Sequence, residues 1–169
     1  MELAKRREQQ QIMLSTEVFN QVSEVLGDLV ASTRADFAIF SDANGHPITH
    51  AGKAGQINLS GLSALVAGDF AATTEIARLI GERDGFKFLF QEGENRNIYL
   101  CNVGFNFLLA VIFEKAVALG LIRIFANKAV ERLRQILEKA AQAENKASEF
   151  LDVEFGALLG KEFDKTFKL

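Results

Sequence analysis

The chain has 169 residues, 49% of them hydrophobic, with a formal net charge of −3, fifteen Phe, one Pro, one Cys and no Trp. That apolar share supports a folded core and excludes a disordered chain. The acidic balance argues against a broad nucleic-acid surface, which needs a basic excess or stripe. The single Cys101 permits no internal disulfide, which makes a reducing cytoplasmic setting the default expectation.

Residues 1–14 form a polar N-terminal extension. Its "MELAKRREQQQ" has no apolar stretch directly after the basic cluster, unlike a secretory signal. The longest apolar run of strand character, Leu108 to Phe113, falls far short of the ~20 residues that span a bilayer, so no membrane insertion is expected. From Ser15 the pattern becomes helical, with Phe19, Val22, Leu26, Leu29 and Val30 recurring at three- and four-residue steps. Ser15 is placed to cap this helix. "DFAIFSDANGHPITHAG" then predicts a β-hairpin, Phe37–Ser41 and His46–Ala51, turning at Asn-Gly. Pro47 cannot donate to a ladder, so the second strand is expected at a sheet edge.

Asn58 can cap a second helix over Leu59–Ile80, with Leu62, Val66, Phe70, Thr73, Ala77 and Ile80 on one stripe. A neighbouring stripe, Gly61, Ala64, Gly68 and Ala71, is small. Glycines inside a helix cost roughly 1 kcal/mol each, so this seam predicts a close helix contact, such as with its own copy. A three-strand meander follows, "FKFLFQE", "RNIYLCNV" and "FLLAVIFE", the last apolar on both faces as a central strand should be. A final core helix is expected over Leu119–Ala143. The segment from Ser148 to Leu169 reads as a separate amphipathic tail that either packs back on the domain or docks on a partner. This order fits an α/β (α+β) domain over residues 15–147, one antiparallel sheet with helices on its faces.

The segments "ADFAIFSDANGHPITHAG", "LSGLSALVAGDFAATTEIARLIG", "FLLAVIF" and "LGLIRIFANKAVERL", in this order, resemble the roadblock family, which includes roadblock-type dynein light chains and bacterial MglB-like regulators of small GTPases. The resemblance spans about Ser15 to Ala140. It implies a profilin-like fold with a five-stranded antiparallel sheet in the order 2-1-5-4-3. It also implies a homodimer in which third strands pair and second helices lie side by side. The residues agree: an unpaired Phe-rich edge strand is an aggregation hazard, and the small seam suits an isologous contact. The expected dimer interface is Gly61, Ala64, Gly68, Ala71, Phe86, Phe88 and Phe90.

Chemical sites weigh differently. His46 and His50, four apart in a strand, sit about 13 Å apart at ~3.3 Å per residue and cannot chelate one ion alone; no metal or cofactor is expected, and His46 reads as a turn residue. Cys101 reads as a small buried hydrophobe rather than a nucleophile. "GKAG" and "GERDG" lack the phosphate-loop pattern. Arg78, Arg83, Arg96 and Arg123 could each act as an arginine finger, but the MglB-like regulators reshape the GTPase's own switch residues instead. Arg78 and Arg83, near the end of the second helix, are the partner-facing candidates, together with Phe155, Leu159, Phe163 and Phe167 of the tail.

The expected function is therefore a non-enzymatic, cytoplasmic, dimeric regulator or scaffold that binds a Ras-like small GTPase, with GTPase activation as its possible outcome. The alternative is a scaffold subunit that joins other roadblock-like chains or a cytoskeletal partner without GTPase contact. A small-ligand sensor ranks below both, because a Phe-rich interior offers few polar groups to orient a ligand.

Overall fold

The computed structural model describes residues 12–166. Its elements are α1 (Thr16–Thr33), β1 (Phe37–Asp42), β2 (Pro47–Gly52), α2 (Leu59–Leu79), β3 (Phe88–Glu92), β4 (Arg96–Gly104), β5 (Phe107–Glu114) and α3 (Leu119–Thr166). Local chemistry sets the boundaries. The Ser15 hydroxyl accepts a hydrogen bond from the Val18 amide at 3.2 Å and caps α1. Asn58 does the same for α2, its Oδ1 accepting from the Gly61 amide at 3.0 Å. In the hairpin turn, Asp42 Oδ1 accepts from the amides of Asn44 and His46, while Asp42 Oδ2 and His46 Nδ1 lie 2.9 Å apart. His46 is thus a turn residue.

The five strands form one antiparallel sheet in the order β2-β1-β5-β4-β3. This is the order that the roadblock resemblance implies. Pro47 opens an edge strand, and the register slips between Phe40 and Ser41, the latter pairing with Pro47 itself. A bulge there absorbs the missing donor. β5, apolar up to its terminal Glu114, lies at the centre with seven of its eight residues buried.

Alternation along the strands divides the interior in two. Ala38, Phe40, Tyr99, Cys101, Val103, Leu109, Val111 and Phe113 point to the face covered by α1 and α3, where Val22, Val25, Leu26, Ile122, Leu133 and Leu137 meet them. Aromatic pairs fill this layer: Phe40 stacks on Phe107 and Phe88 on Tyr99, each with centroids 4.9 Å apart. The opposite face, Phe37, Ile39, Leu100, Leu108, Ala110 and Ile112, is covered by α2 through Val66 and Ala67. Two details differ from the periodicity expected for the helices. In α1, Val25 joins the buried stripe and Phe19 is 40% exposed. In α2, Ile80 falls just past the helix end and faces outward.

The expected break before Ser148 is replaced by one continuous helix: α3 runs for 48 residues, roughly 70 Å at helical rise. The sequence between Ala143 and Ser148, "AENKAS", contains neither Gly nor Pro, so nothing stops propagation. Its buried stripe ends at Ala141. Two arginines tie its packed half down: Arg132 Nη1 reaches Asp28 Oδ2 at 2.8 Å, and Arg134 donates to the carbonyls of Val103 at 2.7 Å and Asn102 at 3.2 Å. Those carbonyls precede the two-residue loop Phe105–Asn106, where both residues have positive φ (53° and 63°), as a type I′ hairpin demands. Among the described residues, no helix is long and apolar enough to cross a membrane.

Candidate interaction site

Three exposed surfaces remain once the core is assembled. The first is the outer side of α2. Leu65, Ile76 and Leu79 share one stripe there with Gly68 and Ala72, at helical steps of three, four and seven, and Leu65 and Leu79 are 74% and 76% exposed. The expected small seam lies beside this stripe. Ala64, Gly68 and Ala71 are exposed, and Gly61 is half-buried against its own capping Asn58. Sequence reasoning singled out the small residues and missed the large ones around them. The available signal was that apolar residues continue off the core stripe.

The second surface is the open edge of β3, which pairs on one side only, with β4. It adjoins the outer side of α2 through a hydrogen bond from Gln91 Nε2 to Asp69 Oδ2 at 2.7 Å. Of the aromatic residues expected at this edge, Phe86 precedes the strand and is exposed. Phe88 and Phe90 are half-buried and turn toward the α3 side of the sheet. Phe88 stacks on Tyr99 beneath the guanidinium of Arg123, 5.0 Å from the ring centroid, and Phe90 stacks on Phe113. The β3 backbone thus faces outward while its two Phe side chains serve the protein's own core layer. Arg78 pairs with Glu75 at 2.9 Å on the exposed end of α2, and Arg83 is exposed in the following loop.

The third surface is α3 beyond its packed half. Phe150, Leu151, Val153, Phe155, Leu158, Leu159 and Phe163 all face solvent. The expected partner-binding residues Phe155, Leu159 and Phe163 are therefore displayed; Phe167 lies outside the described residues.

No nucleophile emerges from the interior. Cys101 is buried, and burial pushes its thiol up to about 12, with Arg134 opposing, so it is a protonated thiol at neutral pH. The Tyr99 hydroxyl is likewise pushed up to about 12, by burial first and then by Cys101, and has no hydrogen-bond partner among the described residues. A groove of about 620 Å³ beside α3 is lined by Lys87, Asn102, Asn127, Glu131 and Arg134. Its charges are mixed in sign, and Arg134 is committed to backbone carbonyls. Among the described residues no group of His, Cys, Asp and Glu could hold a metal ion.

The Roadblock/LC7 domain model matches residues 21–113, more than half of the chain. Among solved structures, Myxococcus xanthus MglB superposes with a TM-score of 0.72 at 34% identity, over 77% of this chain and 96% of that one. The gliding protein MglB of Thermus thermophilus gives 0.71 at 28% identity, over 76% and 97%. A Roadblock/LC7 domain from Streptomyces avermitilis, 14% identical, gives 0.64 over 69% and 97% and speaks for the fold alone. A protein of Aquifex aeolicus (strain VF5) is 30% identical over 86 residues, 51% of this chain and 53% of that protein. The match spans about half the length of that relative.

Proposed function

This chain belongs to the Roadblock/LC7 family, and on that premise we propose that it is a non-catalytic, cytoplasmic, dimeric regulator that binds a Ras-like small GTPase and acts as its activating protein. The likeness to Myxococcus xanthus MglB, 34% identical along 96% of that chain, carries the reading, because the sequence resembles the MglB-like regulators of small GTPases. The regulation is by differential binding: a partner that grips one switch conformation more tightly raises its population.

Assembly uses the outer side of α2 and the open edge of β3. An exposed apolar stripe beside an unpaired strand favours an isologous contact that buries both. A related MglB, 28% identical, has a tetrameric arrangement, which supports self-association as a property of such chains. Arg78 and Arg83, and the tail residues Phe155, Leu159 and Phe163, are offered to the partner.

The test mixes the purified protein with its cognate GTPase. The expected result is a complex and faster GTP hydrolysis; absence of a complex, with hydrolysis and exchange both unchanged, sinks the reading. The exposed apolar tail favours a second reading, a scaffold for a partner other than a GTPase. Removal of residues 148–169 that releases such a partner while leaving GTP turnover untouched would select it.

A further inference from the structure

Past its packed half, α3 keeps an apolar side. Leu151 and Phe155 stand eighteen residues, about five turns at 3.6 residues each, beyond the buried Leu133 and Leu137, and so lie on the same side of the helix. Between the two sets that side carries Glu144, whose Oε1 accepts from the Met13 amide at 2.6 Å, and Ser148. Leu151, Phe155 and Leu158, spaced four and three apart, therefore form a separate seam of the coiled-coil kind. Each is more than 60% exposed. Glu154 and Lys161, both exposed, stand seven residues apart along one flank of this seam. Leu159 lines the other flank, and Phe163 lies further round the helix.

We propose that this seam is covered by the same seam of a second copy of the chain, the two helices lying antiparallel. Charge complementarity selects that occupant. In an antiparallel pair related by a two-fold axis, each flank faces the same flank of the other helix. Setting Phe155 against Leu158 of the second copy brings Glu154 beside Lys161 of that copy, and symmetry forms the same ion pair a second time. A parallel pair would set Glu154 against Leu159 instead and form no such ion pair. On its own helix Glu154 has no cation three or four residues away, since those positions are Phe150, Leu151, Ala157 and Leu158. The contact is short, because Glu162, bonded to Lys165 at 3.2 Å, ends the seam. Gly156 and Gly160 make this stretch a weak helix when alone, so pairing supports the helix as well as covering the seam. The contact is separate from the α2 stripe and the β3 edge. It needs no GTPase and stands whether or not one binds.

Hydrogen exchange of amides 151–158 in the full-length chain, read across protein concentration, tests this. Their exchange is expected to slow about tenfold as the chain is concentrated. Glu154→Lys alone and Lys161→Glu alone each turn both ion pairs into repulsions, and each is expected to abolish that slowing. An equimolar mixture of the two variants places opposite charges at both contacts again, and the slowing is expected to return. Exchange that does not slow with concentration overturns the proposal; amides protected equally at every concentration would assign the seam to a segment of the same chain. Slowing that survives in either single variant overturns it too, as does a mixture that behaves like its separate components.

Discussion

The two faces of the sheet are closed in different ways. On one, α1 and α3 lie together over Phe40, Tyr99, Leu109 and Phe113, and the helix surfaces turned to solvent there carry Asp28, Lys128, Glu131 and Arg132 together with the partly exposed Phe19, Leu121 and Ile124. On the other, α2 alone covers Phe37, Ile39, Leu108 and Ile112, and its outward side carries Leu65, Ile76 and Leu79. A helix that is apolar toward both core and solvent has a second surface to bury. Over the sheet, then, the packed part of α1 and α3 turns its apolar residues mainly to the core, whereas α2 and the part of α3 beyond Ala141 also present theirs to solvent.

The largest effect expected follows from that division. Leu137→Ala, on the closed face, should lower the unfolding free energy by about 2–5 kcal/mol. Leu79→Ala should stay within about 0.5 kcal/mol in denaturant titrations run dilute enough to exclude assembly. Equal losses at the two sites would break the comparison. Next in size, Leu65→Asp with Leu79→Asp should weaken self-association at least about tenfold, ~1.4 kcal/mol, as seen by sedimentation; an unchanged mass would detach the α2 stripe from assembly. Gly45→Ala probes how α2 is seated. Gly45 has φ +93°, and a Cβ there would stand 2.6 Å from the Ala64 Cα, so a loss of about 1 kcal/mol or more is expected, with a null result showing that the helix can shift at no cost.

The smallest effect concerns pH. Burial pushes the Asp42 carboxyl up, but the His46 amide, the His46 ring and the Asn44 amide together outweigh it and leave it below its ordinary value. A depressed carboxylate contributes stability that is present above its unfolded pKa and lost as pH falls through the folded one. The part of the stability difference between the protein and Asp42→Asn that comes from this carboxylate should therefore be present above about 4 and shrink on acidification below it. A difference that grew with acid would reverse the assigned sign.

Much of the fold was legible because single residues carried single meanings. Pro47 marked an edge, and Ser15 and Asn58 marked helix starts, each through a backbone requirement local to that residue, while the unbroken run Leu108–Phe113 marked the centre through apolarity on both faces. The strand order came from the resemblance, since pairing of β1 with β5 joins segments some seventy residues apart and leaves no local trace. The site was harder. Phe88 and Phe90 alternate correctly for one face, but which face depends on α3, and it is Tyr99, Phe113 and Arg123 that claim their rings. Leu65 and Leu79 were hidden by the same ambiguity, because a core residue and an interface residue are chemically alike until burial distinguishes them. The amphipathic pattern of the tail is legible, but its fusion with α3 rests on the absence of any stop signal, a weaker clue than a positive one.

That fusion turns the end of the molecule into a ruler. From Ala141, where its burial ends, to Thr166 the helix extends about 37 Å at 1.5 Å per residue. A partner gripping Phe163 is then held at a set distance and rotation from the sheet, whereas a coil of equal length would let it wander. Two sites on such a ruler act together only on a target whose own spacing matches. Selectivity can therefore reside in the length of α3 as well as in the side chains along it.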